Sequence, residues 1–306
     1  MKLAVPLTAP HEVAPLREAG ATEFYCGLQT KEWQNKFGDH DSISRRQGRA
    51  NLETLDELSA IMSKTKEFDA PLFLTLNGSY TEAQLSLALK TAEAFEEMGG
   101  AGVMIMDIAL LCLLKKRNSK LIRGLSLMAG VGSISAMEFY EELGVGRVVF
   151  PRFLTPTQIG QVTKRFPRRF PRMQAEVIVW IDKCKFIDGY CRFQHSVGYQ
   201  DCALPSGEQP QKCLYTYDMD YRSPACYELF GAPPPLPACA ACYINQLTEN
   251  GVTVFKLGGR GRPFSIQLAG TRFLSEAATL EGRHEIKELY RKAFGAPCND
   301  DVCYYS

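Results

Sequence analysis

Seven of the eleven cysteines in this sequence of 306 residues lie within 59 residues, from Cys184 to Cys242. Thiolates bind soft metal ions and iron–sulfur clusters. In a reducing compartment, where disulfides are rare, this crowding predicts a metal site before a disulfide framework. Cys239 and Cys242 form a C-x-x-C pair that one turn brings within reach of a single ion, and Cys184 and Cys191 are a distant pair able to close the site.

Four thiolates suit either tetrahedral zinc or an iron–sulfur cluster, and the cysteine spacing does not decide between them. Three further cysteines compete as ligands: Cys202, Cys213 and Cys226. Cys26 and Cys112 stand alone in apolar stretches and are interpreted as small buried side chains. Cys298 and Cys303, in a polar tail, are expected to be dispensable for metal binding.

Polar residues at the predicted carboxyl ends of strands are the candidate catalytic residues: Asp107, Arg152, Lys256 and Arg260. Arg152 and Arg260 suit a bidentate grip on a carboxylate, although structural salt bridges are equally expected of them. Asp107 has an equal expectation of capping a loop. A Cys–His protease is a further possibility, but the four histidines belong to no local protease signature.

Eight β-rich apolar segments, alternating with helical patterns, are expected to position these residues. The predicted strands are 3–7, 23–27, 72–77, 102–107, 122–128, 147–152, 176–181 and 253–257. Repeated βα units with near-continuous hydrophobic strands predict a parallel sheet covered on both faces, and eight units predict an α/β fold, a single (β/α)8 TIM-like barrel. A doubly wound open sheet is the alternative, weakened by the absence of G-x-G-x-x-G after the first strand.

The barrel is predicted over residues 1–262, followed by a C-terminal helical tail over 263–306 with a helix near 281–294. Within the barrel, residues 192–241 form a Cys/Pro-rich insertion after strand seven, with seven prolines between Pro205 and Pro237. Loops at the carboxyl ends of barrel strands build active sites. The insertion is therefore expected to lie over the barrel mouth as a metal-ordered lid.

The clearest helical periodicity covers residues 81–97, and 56–66, 135–143 and 157–166 are similar. Thr81 and Thr155 are predicted N-caps. Net charge is +1, which gives no general argument for nucleic-acid or membrane binding. The longest apolar stretch, 103–114, is too short to span a bilayer, and no signal-peptide pattern opens the sequence. These features predict a cytoplasmic protein without a membrane partner.

Several segments together resemble the collagenase-like peptidase family of unassigned catalytic type, family thirty-two. They are 44–51, 125–140, 142–152, 176–184, 188–191 and 251–260. The resemblance covers roughly residues 1–262. It implies a relationship to oxygen-independent hydroxylation proteins that act on ubiquinone precursors, tRNA uridine or ribosomal cytidine, several of which hold a 4Fe–4S cluster and some of which use prephenate as the hydroxyl source.

Carried over position by position, the resemblance gives Cys184 and Cys191 as the first two cluster ligands and Cys239 as the last. The third ligand falls in the insertion, where Cys226 is favoured over Cys213 and Cys242. Polar positions of the family are apolar or small here, at 124, 127–128, 153, 180 and 257–259. Because specificity for polar groups depends on paired polar partners, a changed substrate is expected.

Three hypotheses follow. The first is an iron–sulfur barrel enzyme in oxygen-independent hydroxylation, or a related redox modification, of a small aromatic or a nucleobase. The second is a peptidase, as the family name states. The third is a non-catalytic, cluster-bearing partner of a homologous subunit, which the lost polar positions would suit.

Overall fold

The computed structural model describes residues 1–38, 42–44, 48–180 and 237–305. Eight parallel strands close into a barrel in chain order. They are β1 Lys2–Pro6, β2 Glu23–Gly27, β3 Leu72–Leu76, β4 Gly102–Ile105, β5 Ile122–Leu125, β6 Val145–Val149, β7 Gln174–Trp180 and β8 Val254–Leu257. Each strand overlaps its predicted segment, so the predicted TIM-like fold is confirmed.

Closure occurs where the first strand pairs with the last. β1 pairs with β2 through Ala4 and Glu23, and with β8 through Lys2 and Val254. All residues of β2 and β3 are buried, as expected for strands covered on both faces. Because all eight strands are parallel, their carboxyl ends meet at one mouth.

Helices cover the outside of the barrel. They are α1 Val13–Glu18, α2 Lys31–Phe37, α3 Leu55–Glu67, α4 Glu82–Glu97, α5 Ile108–Lys116, α6 Ile134–Glu142, α7 Pro156–Thr163, α8 Phe166–Arg169, α9 Ile244–Glu249, α10 Phe264–Ala277 and α11 Arg283–Phe294. The predicted cap at Thr155 is present, since its hydroxyl accepts from Gln158 N at 3.3 Å. None of the described helices is long and apolar enough to cross a membrane.

Two helices follow β8, whereas the sequence predicted one in the tail. The predicted boundary at residue 262 falls just before α10, which contacts β1, β8 and α1 and so completes the eighth βα unit. Gly270 interrupts its apolar pattern for a packing reason: a Cβ there would lie 2.3 Å from Trp180 Nε1. Close approach of α10 to the indole therefore requires glycine.

The two isolated cysteines differ from each other. Cys26 is buried in β2, as predicted, and burial raises the pKa of its thiol to about 12. Cys112 is exposed on α5, so its interpretation as a buried side chain is wrong. The helix turns this position away from the barrel, while its neighbour Leu111 is buried. Of these two thiols, only Cys112 is accessible to reagents.

Candidate functional site

The cysteine-rich segment begins and ends at the carboxyl end of β7. Ala240 N donates to Val179 O at 2.8 Å, and Cys239 forms an isolated antiparallel bridge with Trp180, the last residue of β7. Five cysteines between these bridged residues lie outside the described residues: Cys184, Cys191, Cys202, Cys213 and Cys226. The predicted lid also falls there. Both ends of the segment are nevertheless fixed at the barrel mouth.

The C-terminal segment brings two more cysteines to the same place. Cys239 N donates to Val302 O at 2.8 Å, and Tyr304 N donates to Cys239 O at 3.0 Å. These bonds make a parallel bridge between Cys239 and Cys303. The thiols of Cys239 and Cys298 are hydrogen-bonded to each other. We call Cys239, Cys242, Cys298 and Cys303 the thiol corner.

Cys239 and Cys298 differ in how readily their thiols lose a proton. The hydrogen bond with Cys298 raises the pKa of the Cys239 thiol well above its usual value, and burial raises it further. The same hydrogen bond lowers the pKa of Cys298 to about 6, assisted by Lys287. Cys298 is therefore the more easily deprotonated of these two thiols.

Two cations and three tyrosines border the thiol corner. Burial raises the pKa of Cys242, as do the thiols of Cys298 and Cys303, while Arg283 and Lys287 lower it. The rings of Tyr243 and Tyr305 meet edge to face, with centroids 5.1 Å apart. The hydroxyl of the third tyrosine, Tyr290, donates to Pro237 O at 2.8 Å. Aromatic rings and two cations thus lie close to the thiols.

No three His, Cys, Asp or Glu side chains within residues 1–38, 42–44, 48–180 and 237–305 are arranged to hold a metal ion as they stand. The chemistry of the described donors nevertheless fits a thiolate-bound group. Cys239 is only 5% exposed and lies among the buried alanines 238, 240 and 241. A soft donor in apolar surroundings suits an iron–sulfur cluster or zinc.

A second polar assembly crosses the barrel interior, and we call Glu23, Arg147, Glu176 and Lys256 the interior charge network. Arg147 Nη2 donates to Glu23 Oε2 at 3.0 Å, although β6 and β2 are not neighbours. Arg147 Nη1 donates to Glu176 Oε2 at 3.2 Å, and Lys256 Nζ donates to Glu176 Oε1 at 2.8 Å. Two cations thus balance two anions inside the barrel.

Aromatic rings lie against both cations of the interior charge network. The Arg147 guanidinium lies 4.1 Å from the centre of the Phe73 ring, and Lys256 Nζ lies 4.1 Å from that of Tyr25. Burial favours the protonated form of Glu176, but Lys256 and Arg147 outweigh it and hold the pKa of this carboxyl below its usual value. Glu176 is therefore ionised near neutral pH.

The other candidate catalytic residues occupy different places at the mouth. Asp107 is the N-cap of α5, and its carboxylate accepts from Leu110 N at 3.0 Å and from Tyr80 N at 3.2 Å. Arg260 is buried, and its Nη2 donates to Ser44 O at 2.9 Å, which ties the segment after β2 to the segment after β8. Arg152 is half-buried after β6. Their catalytic assignment stays a prediction.

Sequence reasoning did not predict that Cys298 and Cys303 would lie beside Cys239, nor three members of the interior charge network; that the two cysteines are dispensable for metal binding stays a prediction. The C-x4-C spacing of the two cysteines was a usable signal, but nothing local showed that residue 303 would pair with residue 239. For the network, the signal was a charged residue inside an otherwise apolar strand, at Glu23, Arg147 and Glu176.

A closed (β/α)8 barrel with thiols gathered at its carboxyl mouth defines the class of the protein. The sequence profile of peptidase family U32 matches residues 9–292, and the chain belongs to that family. The match confirms the resemblance and extends it through α10 into α11, ending before Cys298. No protein of curated function matches the chain.

The chain is similar in fold to one solved structure and more weakly similar to a second. The U32 peptidase Mk0906 is similar with a TM-score of 0.52 at 11% identity, over 85% of this chain and 93% of that chain. A putative dihydrodipicolinate synthetase from Pseudomonas aeruginosa gives a TM-score of 0.48 at 8% identity, over 96% of this chain and 81% of that chain. Identities this low show the fold alone.

Proposed function

We propose that this U32-family protein is an iron–sulfur barrel enzyme that carries out oxygen-independent hydroxylation, or a related redox modification, of a small aromatic or a nucleobase. The observation that supports it is the bridge between Trp180 and Cys239, which tethers both ends of a segment with five cysteines to the barrel mouth. Active sites of such barrels lie at this face.

A 4Fe–4S cluster would supply one-electron redox chemistry at this mouth. The ligands that the family resemblance implies are Cys184, Cys191, Cys226 and Cys239. Of these, Cys239 is described, and its burial and apolar neighbours suit a cluster ligand.

An aromatic substrate is supported by the lining of the barrel. Tyr25, Phe73, Met104 and Val149 form an interior apolar cluster, against which Leu127 packs from the segment after β5. Trp180 stands where the family has a polar residue. It lies between the barrel and the tail helices, with its ring centroid 5.1 Å from that of Phe294. Apolar side chains inside the barrel, together with apolar residues where the family has polar ones, are the support for an apolar aromatic substrate over a strongly hydrogen-bonding one.

The alternative of a cluster-bearing, non-catalytic partner of a homologous subunit is favoured by one observation. Three candidate catalytic residues already have structural partners: Asp107 caps a helix, Lys256 pairs with Glu176, and Arg260 holds the segment after β2. Activity of the isolated chain would support the enzyme, whereas activity only after addition of a homologous subunit would support the partner. Activity that survives removal of the cluster would support a peptidase instead.

The proposal is tested by anoxic purification with an absorption spectrum and quantitation of iron and sulfide. We expect broad visible absorption from a thiolate-ligated cluster, and we expect Cys184→Ser and Cys191→Ser each to lose the iron and sulfide. The matched control is Cys112→Ser, since that thiol is exposed on α5. Stoichiometric zinc without iron, or equal iron loss in all three variants, would contradict the cluster.

A further inference from the structure

A concentration of positive charge lies between α7 and β7. Residues 164–172 read Lys-Arg-Phe-Pro-Arg-Arg-Phe-Pro-Arg, which places five cations in nine residues with no acidic residue among them. We call the surface formed by Lys164, Arg165, Arg168 and Arg169 the basic cleft. We propose that the basic cleft binds a small molecule that carries two or more linked phosphate groups, at a site separate from the barrel mouth.

The basic cleft has the size of a site for a small molecule. It is a concavity of about 520 Å³ between α6 and α8, lined by Ile134 and the four cations. Clefts of about 300–1,000 Å³ are typical of sites for small ligands. Ile134 is half-buried at the start of α6 and gives the cleft one apolar wall. The size and the lining therefore suit a small ligand with an anionic end.

Two aromatic side chains fix the backbone that carries these cations. Phe166 and Phe170 are buried, and their rings meet edge to face with centroids 5.5 Å apart. The Phe166 ring also lies against that of Phe150, which directly follows β6, with centroids 6.3 Å apart. Phe170 N donates to Phe166 O at 2.7 Å. Because the segment is already held on the barrel wall, a ligand has less backbone to order when it binds.

Most of the positive charge in the basic cleft is not balanced by a carboxylate. All four of its cations are exposed, and Arg169 forms an ion pair with Glu138 of α6. Within the part of the chain that the structure describes, Lys164, Arg165 and Arg168 form no ion pair. The whole chain has a net charge of only +1, so the cleft is a local excess of charge rather than a sample of a basic surface.

Linked phosphates match both the number and the type of these cations. A guanidinium donates two parallel hydrogen bonds to phosphate oxygens, and three of the four cations are arginines. Arg165 and Arg168 are three residues apart in the helical stretch, so their side chains are neighbours. Two linked phosphates carry roughly three negative charges, which equals the unbalanced charge of Lys164, Arg165 and Arg168. A single carboxylate has one negative charge and two oxygens in one plane, and it leaves most of that charge unbalanced.

The basic cleft and the barrel mouth lie at different places along β7. The cationic segment leads into the amino end of β7 at Gln174, whereas the cysteine-rich segment leaves its carboxyl end at Trp180. The cleft is formed by helices that cover the outside of the barrel. A ligand bound there takes no part in chemistry at the mouth, so this site does not depend on the proposed cluster.

The test is isothermal titration calorimetry of the full chain with tripolyphosphate, ADP and inorganic phosphate. We expect tripolyphosphate to bind at least about tenfold more tightly than inorganic phosphate, and its affinity to fall as salt is raised, because exposed charges are screened. Binding of ADP as well would identify a phosphorylated organic molecule as the ligand, and tripolyphosphate without ADP would identify free linked phosphates. Equal binding of inorganic phosphate would overturn the proposal, as would an RNA oligonucleotide that binds when neither probe does.

Two variants with the same change of charge locate the site. Arg165→Glu/Arg168→Glu reverses two charges in the basic cleft, and we expect the affinity for tripolyphosphate to fall at least about tenfold. The matched control, Lys90→Glu/Arg272→Glu, reverses two exposed charges on α4 and α10 and should bind as the parent chain does. Equal weakening in both variants would mean attraction to net charge alone and would overturn the site.

Chemical modification of the unaltered chain gives the same answer without a variant that has to fold. Phenylglyoxal modifies exposed arginines, and mass spectrometry reports each position. We expect tripolyphosphate to protect Arg165 and Arg168 while the exposed Arg272 reacts unchanged. Unprotected Arg165 and Arg168 at a saturating concentration of tripolyphosphate would overturn the proposal.

Discussion

The interior charge network and the thiol corner both gather polar side chains from distant parts of the chain, and they differ in how completely those groups are satisfied. In the interior charge network, two cations and two anions are buried and joined by hydrogen bonds of 2.8–3.2 Å. In the thiol corner, Cys239 is buried and the other three cysteines are partly exposed.

The two assemblies also differ in whether pairing explains them. Buried charges must be paired, so a balanced network inside a barrel is explained by the pairing itself. Thiols have no such requirement, because a neutral cysteine side chain is stable in apolar surroundings without a hydrogen-bonding partner. Burial alone therefore does not explain why four cysteines lie at one corner beside two cations.

The largest expected effect comes from breaking the interior charge network. Arg147→Met leaves Glu23 and Glu176 buried without their shared cation, and we expect the free energy of unfolding to fall by about 3–5 kcal/mol. Chemical denaturation measures it. The matched control is Lys36→Met, whose ion pair with Glu32 is exposed, so we expect stability to stay almost unchanged. If both variants lost a similarly small free energy of unfolding, the network would be dispensable for stability.

Acid should weaken the same network. The pKa of Glu176 is lower in the folded chain than its usual value of 4.5, because Lys256 and Arg147 outweigh the effect of burial. Its contribution to stability is therefore present above that usual value and is lost as pH falls through the folded pKa. We expect stability to depend less on pH in this range in Glu176→Gln than in the parent chain. Parallel pH curves for the two proteins would contradict this.

Packing behind the thiol corner gives a smaller effect. Gly270→Ala places a Cβ 2.3 Å from Trp180 Nε1, so α10 must shift, and we expect a loss of about 1–3 kcal/mol in unfolding free energy. Gly146→Ala is the control, because its Cβ would meet only Ile122 Cγ2, at an ordinary 3.6 Å. If both variants unfold alike, contact with Trp180 does not require glycine.

The strands and several helices were predictable because their signals are local. Apolar runs and the cap at Thr155 depend on neighbouring residues, and each appeared where the sequence placed it. The thiol corner depends on a single bridge between Cys239 and Cys303, and Arg147 reaches Glu23 across the barrel. Such contacts depend on closure of the whole barrel, which no short window of sequence contains.

Asp107 gives the smallest effect and decides between a cap and a catalytic group. Its carboxylate accepts from Leu110 N and Tyr80 N, so Asp107→Ala removes a helix cap and should lower the unfolding free energy by about 1 kcal/mol. Asp107→Asn keeps one oxygen that can cap α5 but turns an amide nitrogen towards Tyr80 N, so it should lose the bond from Tyr80 N and keep the cap.

Activity measured on the same two variants completes the test. If Asp107 is only structural, Asp107→Asn and Asp107→Ala should both keep the activity of the parent chain under conditions in which they are folded. If the carboxylate takes part in the chemistry, both folded variants should lose activity, since neither an amide nor a methyl group can accept a proton as a carboxylate does. That second result would move Asp107 from the scaffold of the barrel mouth to its active site.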